Sequence, residues 1–268
     1  MPLCTAPLDG RRQRRLVGLL LLGVGGPASM LSAQTASSTD WITREQEAMW
    51  VGAFVDQPVT PRVALWFDGS WRRMDLGQRP QQLLLRPGVQ ITLAPGVRLG
   101  GGYGYVASAP YGRLPGPSPL REHRTWQQLA LTHAAGPVTV SHRFRLEQRW
   151  ITPLVSGLDG STPGPSTYQN RFRYQGRGQW PIPGVRLAGR PVLALAWDEL
   201  LMPLGGPTQR FTLGQNRATA GVGLPLSDRM RVEVAYMNLY NAYPSRRANE
   251  VNHTVWLSLH WTGAPVPK

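Results

Sequence analysis

Between Val138 and Trp180 two runs of residues alternate with a period of two. In the first, Val138, Val140, Phe144, Leu146 and Trp150 fall on one side, with His142 and Gln148 among them. Thr139, Ser141, Arg143, Arg145, Glu147 and Arg149 fall on the other. In the second, Phe172, Tyr174 and Trp180 share a side with Gly176 and Gly178, opposite Arg171, Arg173, Gln175, Arg177 and Gln179. Period two is the signature of a strand, whose side chains point alternately to opposite faces. Each run is close to the ~9–11 residues that cross a bilayer as a tilted strand. One face suits lipid. The other carries arginines that a dry protein core does not absorb unpaired. A closed barrel in lipid accommodates both, apolar outward and charged toward a wet interior.

The rest of the chain is consistent with export to such a place. Arg11, Arg12, Arg14 and Arg15 precede the apolar run Leu16–Val24, and Leu31-Ser32-Ala33 offers small residues for cleavage before Gln34. This is the layout of a secretory signal, and the apolar run is too short to span a bilayer as a helix. Cys4, the single cysteine, lies within that signal, so the exported part has no disulfide or cysteine-ligated metal. The whole chain carries a net charge of +14, and residues 34–268 alone keep +11. Nearly all of it is arginine, since Lys268 is the only lysine. The arginines are spread through alternating strands rather than clustered on a helix or tail, which argues against nucleic acid as a partner.

Further alternating runs are expected at Met49–Val55, Arg62–Arg73, Gln81–Leu93, Val97–Ala107, Arg121–His133, Val185–Trp197, Gln209–Leu224, Met230–Tyr240 and Glu250–Trp261. Pro87 costs a ladder hydrogen bond, so a bulge is expected there. Short turns at 58–61, 94–96, 134–137, 181–184 and 225–229 alternate with longer loops at 74–80, 108–120, 152–167, 200–208 and 241–249. Sorting short turns to one rim and long loops to the other is the outer-membrane arrangement. Trp50, Trp71, Trp150, Trp180, Trp197 and Trp261 stand near strand ends, as interface girdles do. Eleven strands are visible, whereas bacterial single-chain barrels are even. The expectation is therefore an all-β, transmembrane antiparallel up-and-down barrel of about 12 strands, with ten as the second choice. Residues 1–33 form the signal peptide, 34–47 an unassigned N-terminal segment that could supply a twelfth strand, 48–261 the barrel and 262–268 a C-terminal tail.

Several short motifs then carry a resemblance. Glu122-His123-Arg124 with Trp126-Gln127-Gln128, Arg143-Phe144-Arg145-Leu146-Glu147-Gln148-Arg149 and Asn170-Arg171-Phe172-Arg173-Tyr174 resemble the DUF2490 family. Asp198-Glu199 and Asn216-Arg217 with Gly221-Val222-Gly223 continue the likeness in the same order, and it covers most of residues 48–261. The resemblance implies an outer-membrane barrel of uncharacterised function and adds no activity. Val255-x-Leu257-x-Leu259-x-Trp261 also resembles the C-terminal signal read by the barrel-assembly machinery, although seven residues follow Trp261.

The arginine ladder is the densest constellation. Candidate lumen-lining residues are Arg143, Arg145, Glu147, Arg149, Arg171, Arg173, Arg177, Arg72, Asp68 and Arg217. Fixed positive charge in a narrow tube concentrates anions. The competing explanation is a structural network in which Glu147, Asp68 and Glu233 neutralise part of the charge. If the two opening strands pair antiparallel with residue numbers summing to 320, Glu147 faces Arg173. The Gly100-Gly101-Gly102-Tyr103-Gly104 run is no phosphate loop, for no helix follows it, and its glycines make room across the barrel. Ser141 and His142 point to opposite faces, and His123, His133, His253 and His260 have no visible serine and carboxylate partners, so no enzyme is expected. Histidine spacing gives no metal site, and no cofactor is implied. The sequence thus points to the outer membrane of a Gram-negative-type envelope. The partners expected there are the bilayer, lipopolysaccharide, the assembly machinery and small anionic solutes. The role is a structural barrel or a narrow anion-preferring pore, with a lipid-modifying enzyme or a surface adhesion barrel as alternatives.

Overall fold

A computed structural model describes residues 41–116, 118–157, 160–205 and 213–266. The expected signal peptide and residues 34–40 lie outside the described residues. The strands are β1 (Ile42–Pro58), β2 (Val63–Met74), β3 (Arg79–Ala94), β4 (Val97–Ser108), β5 (Leu120–Ala135) and β6 (Val138–Gly157). They continue as β7 (Gly160–Pro163), β8 (Thr167–Leu187), β9 (Arg190–Leu204), β10 (Gln215–Pro225), β11 (Met230–Tyr243) and β12 (Ala248–Thr262). Each barrel strand pairs antiparallel with its sequence neighbour, β6 pairing onward with β8. β7 is a four-residue strand that folds back on the end of β6 outside the ring. The fold is therefore a closed barrel of eleven strands plus one extra strand.

The odd count closes through a parallel pair. β1 and β12 run side by side in the same direction, from Ile42↔Ala248 to Asp56↔Thr262. A ring of antiparallel neighbours with one parallel seam has an odd number of members. The twelfth element of the chain is β7, and the unassigned residues 42–47 lengthen β1 instead of forming a strand of their own. As a result Ile42 opens β1 at the rim of the long connections, and Thr262 ends β12 at the rim of the short turns. Following paired residues from Pro58 through Ala64, Gln90, Gly100, Gln128, Arg145, Arg173, Leu201, Gln215, Asn241 and Glu250 returns to β1 at Arg44, a stagger of about 14 residues. Such a stagger tilts the strands by roughly 40°.

Parity puts an apolar band on the outer surface. Leu65, Leu83, Leu85, Val89, Ile91, Leu99, Leu146, Val234, Val255 and Leu259 are all exposed there. Trp71, Trp150 and Trp180 join them. Trp50 and Trp197 do not: Trp50 is 3% exposed inside the barrel, and Trp197 lines an interior cavity. β9 is inverted relative to its hydrophobic pattern. Leu195 and Leu201 are buried inward with Glu199, while Ala194, Ala196 and Asp198 take the other face. A separate apolar interior patch is formed by Ala48 and Trp50 of β1, Met74 of β2 and Met237 and Leu239 of β11.

The local irregularities also differ from expectation. Pro87 interrupts the ladder with β4 between Leu85↔Tyr105 and Gly88↔Gly102 without shifting it. The register shifts fall instead at Arg72/Arg73 and Thr92/Ala94. Pro181–Gly184 is not the turn into β9 but an irregularity within β8, with a register shift between Pro181 and Arg186. The chain reverses at Ala188-Gly189, where φ is +48° and +76°. Two consecutive positive φ values are what a two-residue hairpin needs to match strand twist. Two of the expected long loops are tight 3₁₀ turns, Asp75–Gly77 and Pro244–Arg246.

Candidate functional site

The interior is filled by ion pairs, most of them between neighbouring strands and some, such as Arg86–Glu147, Arg143–Glu199 and Arg177–Glu233, between strands that are not neighbours. Glu147 on β6, fully buried, receives Arg173 Nη1 at 2.8 Å and Arg171 Nε at 2.9 Å from β8. Arg86 reaches it from β3 at 3.5 Å while bonding Asp68 on β2. Glu199 on β9 receives Arg173 Nη2 at 2.6 Å, Arg143 Nη2 at 2.8 Å from β6 and Arg217 Nη1 at 3.1 Å from β10. Arg173 thus bridges Glu147 and Glu199. Toward the long-connection rim, Glu122 holds Arg124 at 2.9 Å and Arg149 at 3.1 Å. Toward the short-turn rim, Glu233 holds Arg177 at 2.6 Å and Arg231 at 2.8 Å.

Among the described residues, two arginines in this layer meet no carboxylate. Arg72 donates to Ser70 at 3.1 Å and Gln82 at 2.7 Å, and its guanidinium lies 3.8 Å over Trp50. Arg145 donates to Gln128 and faces Trp126 at 4.7 Å and Trp66 at 5.2 Å, with Nη1 left without a partner. Indole faces attract cations through their quadrupole, so the tryptophans stand where carboxylates are missing. The glycine run serves this packing. A side chain on Gly102 would meet the Trp126 ring and the Pro87 carbonyl, and one on Gly104 would meet Arg86.

The residues expected to line the lumen fall at three levels of this network. Arg143, Arg145, Glu147, Arg171, Arg173, Arg72, Asp68 and Arg217 gather in the central layer, Arg149 lies above it with Glu122, and Arg177 below it with Glu233. The β6–β8 register sums to 318, so Glu147 faces Arg171 directly and Arg173 diagonally. Sequence reasoning passed over Glu199 and Arg86 as central partners. Glu199 shares its parity with Leu193, Leu195 and Trp197, which disguised it as an outward residue. Its signal was the match in parity with Arg217 across the β9–β10 ladder.

Two cavities flank the layer, of about 630 Å³ toward the short turns and about 330 Å³ toward the long connections. Trp50, Arg72, Arg173 and Arg217 line both and so stand between them. The segment between β4 and β5 folds over the smaller cavity. Arg113 N donates to Gln46 at 2.9 Å, Leu114 N donates to Glu250 at 3.2 Å, and Arg246 donates to the Leu114 carbonyl at 2.9 Å. Tyr111 packs on the apolar patch beneath, and burial pushes its phenol up from the usual range.

One histidine does meet a serine and a carboxylate, against expectation. His260 Nε2 lies 3.0 Å from Ser258 Oγ and 3.2 Å from Glu233. Both contacts fall on the same nitrogen, whereas a nucleophile relay needs serine and carboxylate on opposite ring nitrogens. Among the described residues no cluster of three or more histidine, cysteine or acidic side chains is arranged to hold a metal.

A family model described as a protein of unknown function, DUF2490, matches residues 47–250. The chain belongs to that family. The matched span runs from within β1 to within β12, and so takes in the central layer of this DUF2490 barrel. No curated protein matches the chain. Family membership therefore carries the fold, and the function of this DUF2490 protein has to be argued from its interior.

Proposed function

We propose that this DUF2490 protein is an exported outer-membrane barrel of a Gram-negative-type envelope, and that its interior is sealed rather than open to diffusion. The outward apolar band supports the membrane setting, since an eleven-strand wall carrying exposed leucines, valines and aromatics needs lipid against it. On this reading the surface partners are the bilayer and lipopolysaccharide, and the barrel-assembly machinery inserts the chain. The observation that carries the sealed reading is the layer of Trp50, Arg72, Arg173 and Arg217 between two separate cavities, tied across the barrel by Glu147 and Glu199. The central arginines are spent on interior carboxylates rather than gathered on a basic outer face, which supports no role with nucleic acid.

The test is conductance of the refolded protein in a planar bilayer. A sealed barrel passes no steady current. A second reading, the narrow anion-preferring pore, is favoured by Arg72 and Arg145, which add positive charge without a carboxylate. It requires an anion-selective reversal potential under a salt gradient, strongest in dilute salt, because screening shortens from ~10 Å at 0.1 M to ~3 Å at 1 M. Such a current refutes the sealed reading, and a cation-selective one refutes both.

A further inference from the structure

Building on the sealed reading, we infer that the larger cavity is a dead-ended binding chamber for one small aromatic carboxylate, admitted from the short-turn rim. At about 630 Å³ it lies within the ~300–1,000 Å³ of ordinary ligand sites. Its far wall is the layer of Trp50, Arg72, Arg173 and Arg217, so a molecule that enters has no exit on the other side.

The chemistry of the walls selects the ligand. Nine arginines and five carboxylates line the chamber, an excess of four positive charges with His260 neutral. Four of those arginines share only two carboxylates: Arg143 and Arg217 meet Glu199, on which Arg173 also draws while pairing with Glu147, and Arg177 and Arg231 meet Glu233. A guanidinium has five N–H donors in a planar fork. Arg143 and Arg177 each make one side-chain hydrogen bond, to Glu199 and Glu233 respectively, and Arg231 Nε is buried without a partner. The side chains of Arg143, Arg177 and Arg231 remain 21%, 19% and 28% exposed, so donors are left over on the chamber side. Unspent guanidinium forks match a carboxylate in geometry as well as charge.

The same walls are aromatic. Trp197 lies 4.9 Å beneath the Arg177 guanidinium, and Phe54 stacks on His260 at 4.6 Å beside Trp256. An inorganic anion would answer the charge and leave these rings against water. A neutral aromatic would cover the rings and leave the arginine excess unanswered. A ring bearing a carboxylate answers both, and Arg229 at the entrance, beside the Arg190–Asp228 pair, draws it in.

The experiment uses the refolded full chain in detergent micelles with 2-naphthoate as probe, followed by tryptophan quenching and calorimetry. The neutral 2-naphthylmethanol and inorganic phosphate are the comparison ligands. We expect one saturable site for naphthoate, with each comparison ligand weaker by about tenfold or more. The pair Arg143→Gln and Arg177→Gln should weaken naphthoate by about tenfold or more while the heat-modifiable barrel band persists. If that pair does not fold, Trp197→Leu serves, and it should weaken naphthoate while leaving phosphate unchanged. Equal affinity for naphthoate and naphthylmethanol, absence of saturation, or unchanged binding in a folded variant overturns the inference. Binding in micelles is independent of current in a bilayer. A conducting barrel that still binds naphthoate overturns the sealed reading alone, and a non-conducting barrel that ignores it overturns the chamber alone.

Discussion

Three consecutive residues of β6 should respond to substitution in three different ways. Glu147 is fully buried and stands against Arg86, Arg171 and Arg173. Glu147→Gln keeps the shape and one acceptor but removes the charge, leaving three guanidinium groups that converge on a neutral amide. Breaking a buried pair by removing one partner costs about 3–5 kcal/mol, and the retained acceptor argues for the lower end, ~3 kcal/mol. Arg145, two residues away on the same face, has no carboxylate to orphan. Arg145→Met gives up contacts with Trp66 and Trp126, each about 0.5–2 kcal/mol, and hydrogen bonds to Gln128 worth about 1.5–3 kcal/mol, but it relieves the burial of a charge that no carboxylate answers, a cost of roughly several kcal/mol that includes the unpartnered Nη1. The net change is expected within about 1 kcal/mol of zero. Leu146 lies between them on the outer face, 38% exposed. Leu146→Arg should cost up to ~2–4 kcal/mol in a bilayer and less in micelles, where a charged side chain reaches water more easily. Urea titration of the refolded proteins in both settings, read by tryptophan fluorescence and gel mobility, gives the three values. Equal losses for Glu147→Gln and Arg145→Met would refute the assignment of Glu147 as the organising carboxylate.

Three further outcomes follow from backbone geometry. Gly102→Val places a branched side chain against the Trp126 ring and the Pro87 carbonyl, and should prevent recovery of the compact gel band on refolding. Gly112 has a φ of +79° and sits 2.9 Å from Gln46 and Glu250 side-chain atoms at the point a Cβ would occupy, so Gly112→Val should release the covering segment and speed its proteolytic cleavage without unfolding the barrel. Ala188 holds a φ of +48° in the β8–β9 hairpin, and Ala188→Asn should raise the unfolding midpoint by the equivalent of up to ~1 kcal/mol, since asparagine tolerates that region better than alanine.

The wall of the barrel was legible because alternation is a local property. It carried β2, β3, β4, β6 and β12 with the correct outward residues, and it put Arg143, Arg145 and Arg173 on interior positions. It misled at β9, where Leu193, Leu195 and Trp197 read as lipid-facing and instead serve the interior. Period two fixes which residues share a face but not which face is inside. Strand direction was legible too, but a parity rule drawn from other barrels turned a direct count of eleven into about twelve. Pro181-Ile182-Pro183-Gly184 has turn chemistry and is spent on an irregularity within β8, while the true reversal uses an alanine that composition alone does not single out. The partners of the arginines were the least legible. Arg86 meets Glu147 and Arg143 meets Glu199 across the tube, and such meetings are set by stagger and diameter rather than by any spacing along the chain.

The parallel seam between β1 and β12 has a consequence for engineering the chain. In a barrel with an even number of strands the two chain ends emerge at one rim, and a few residues suffice to join them and cut new ends elsewhere. Here Ile42 and Thr262 terminate the seam at opposite rims, separated by 15 strand residues. Even with the tilt, that is a height of roughly 35–40 Å. A linker joining the ends would have to run down the outside of the wall through the apolar band, or through an interior occupied by arginines and tryptophans. Circular permutation, routine for barrels with paired ends, should therefore fail for this one at every new cut site.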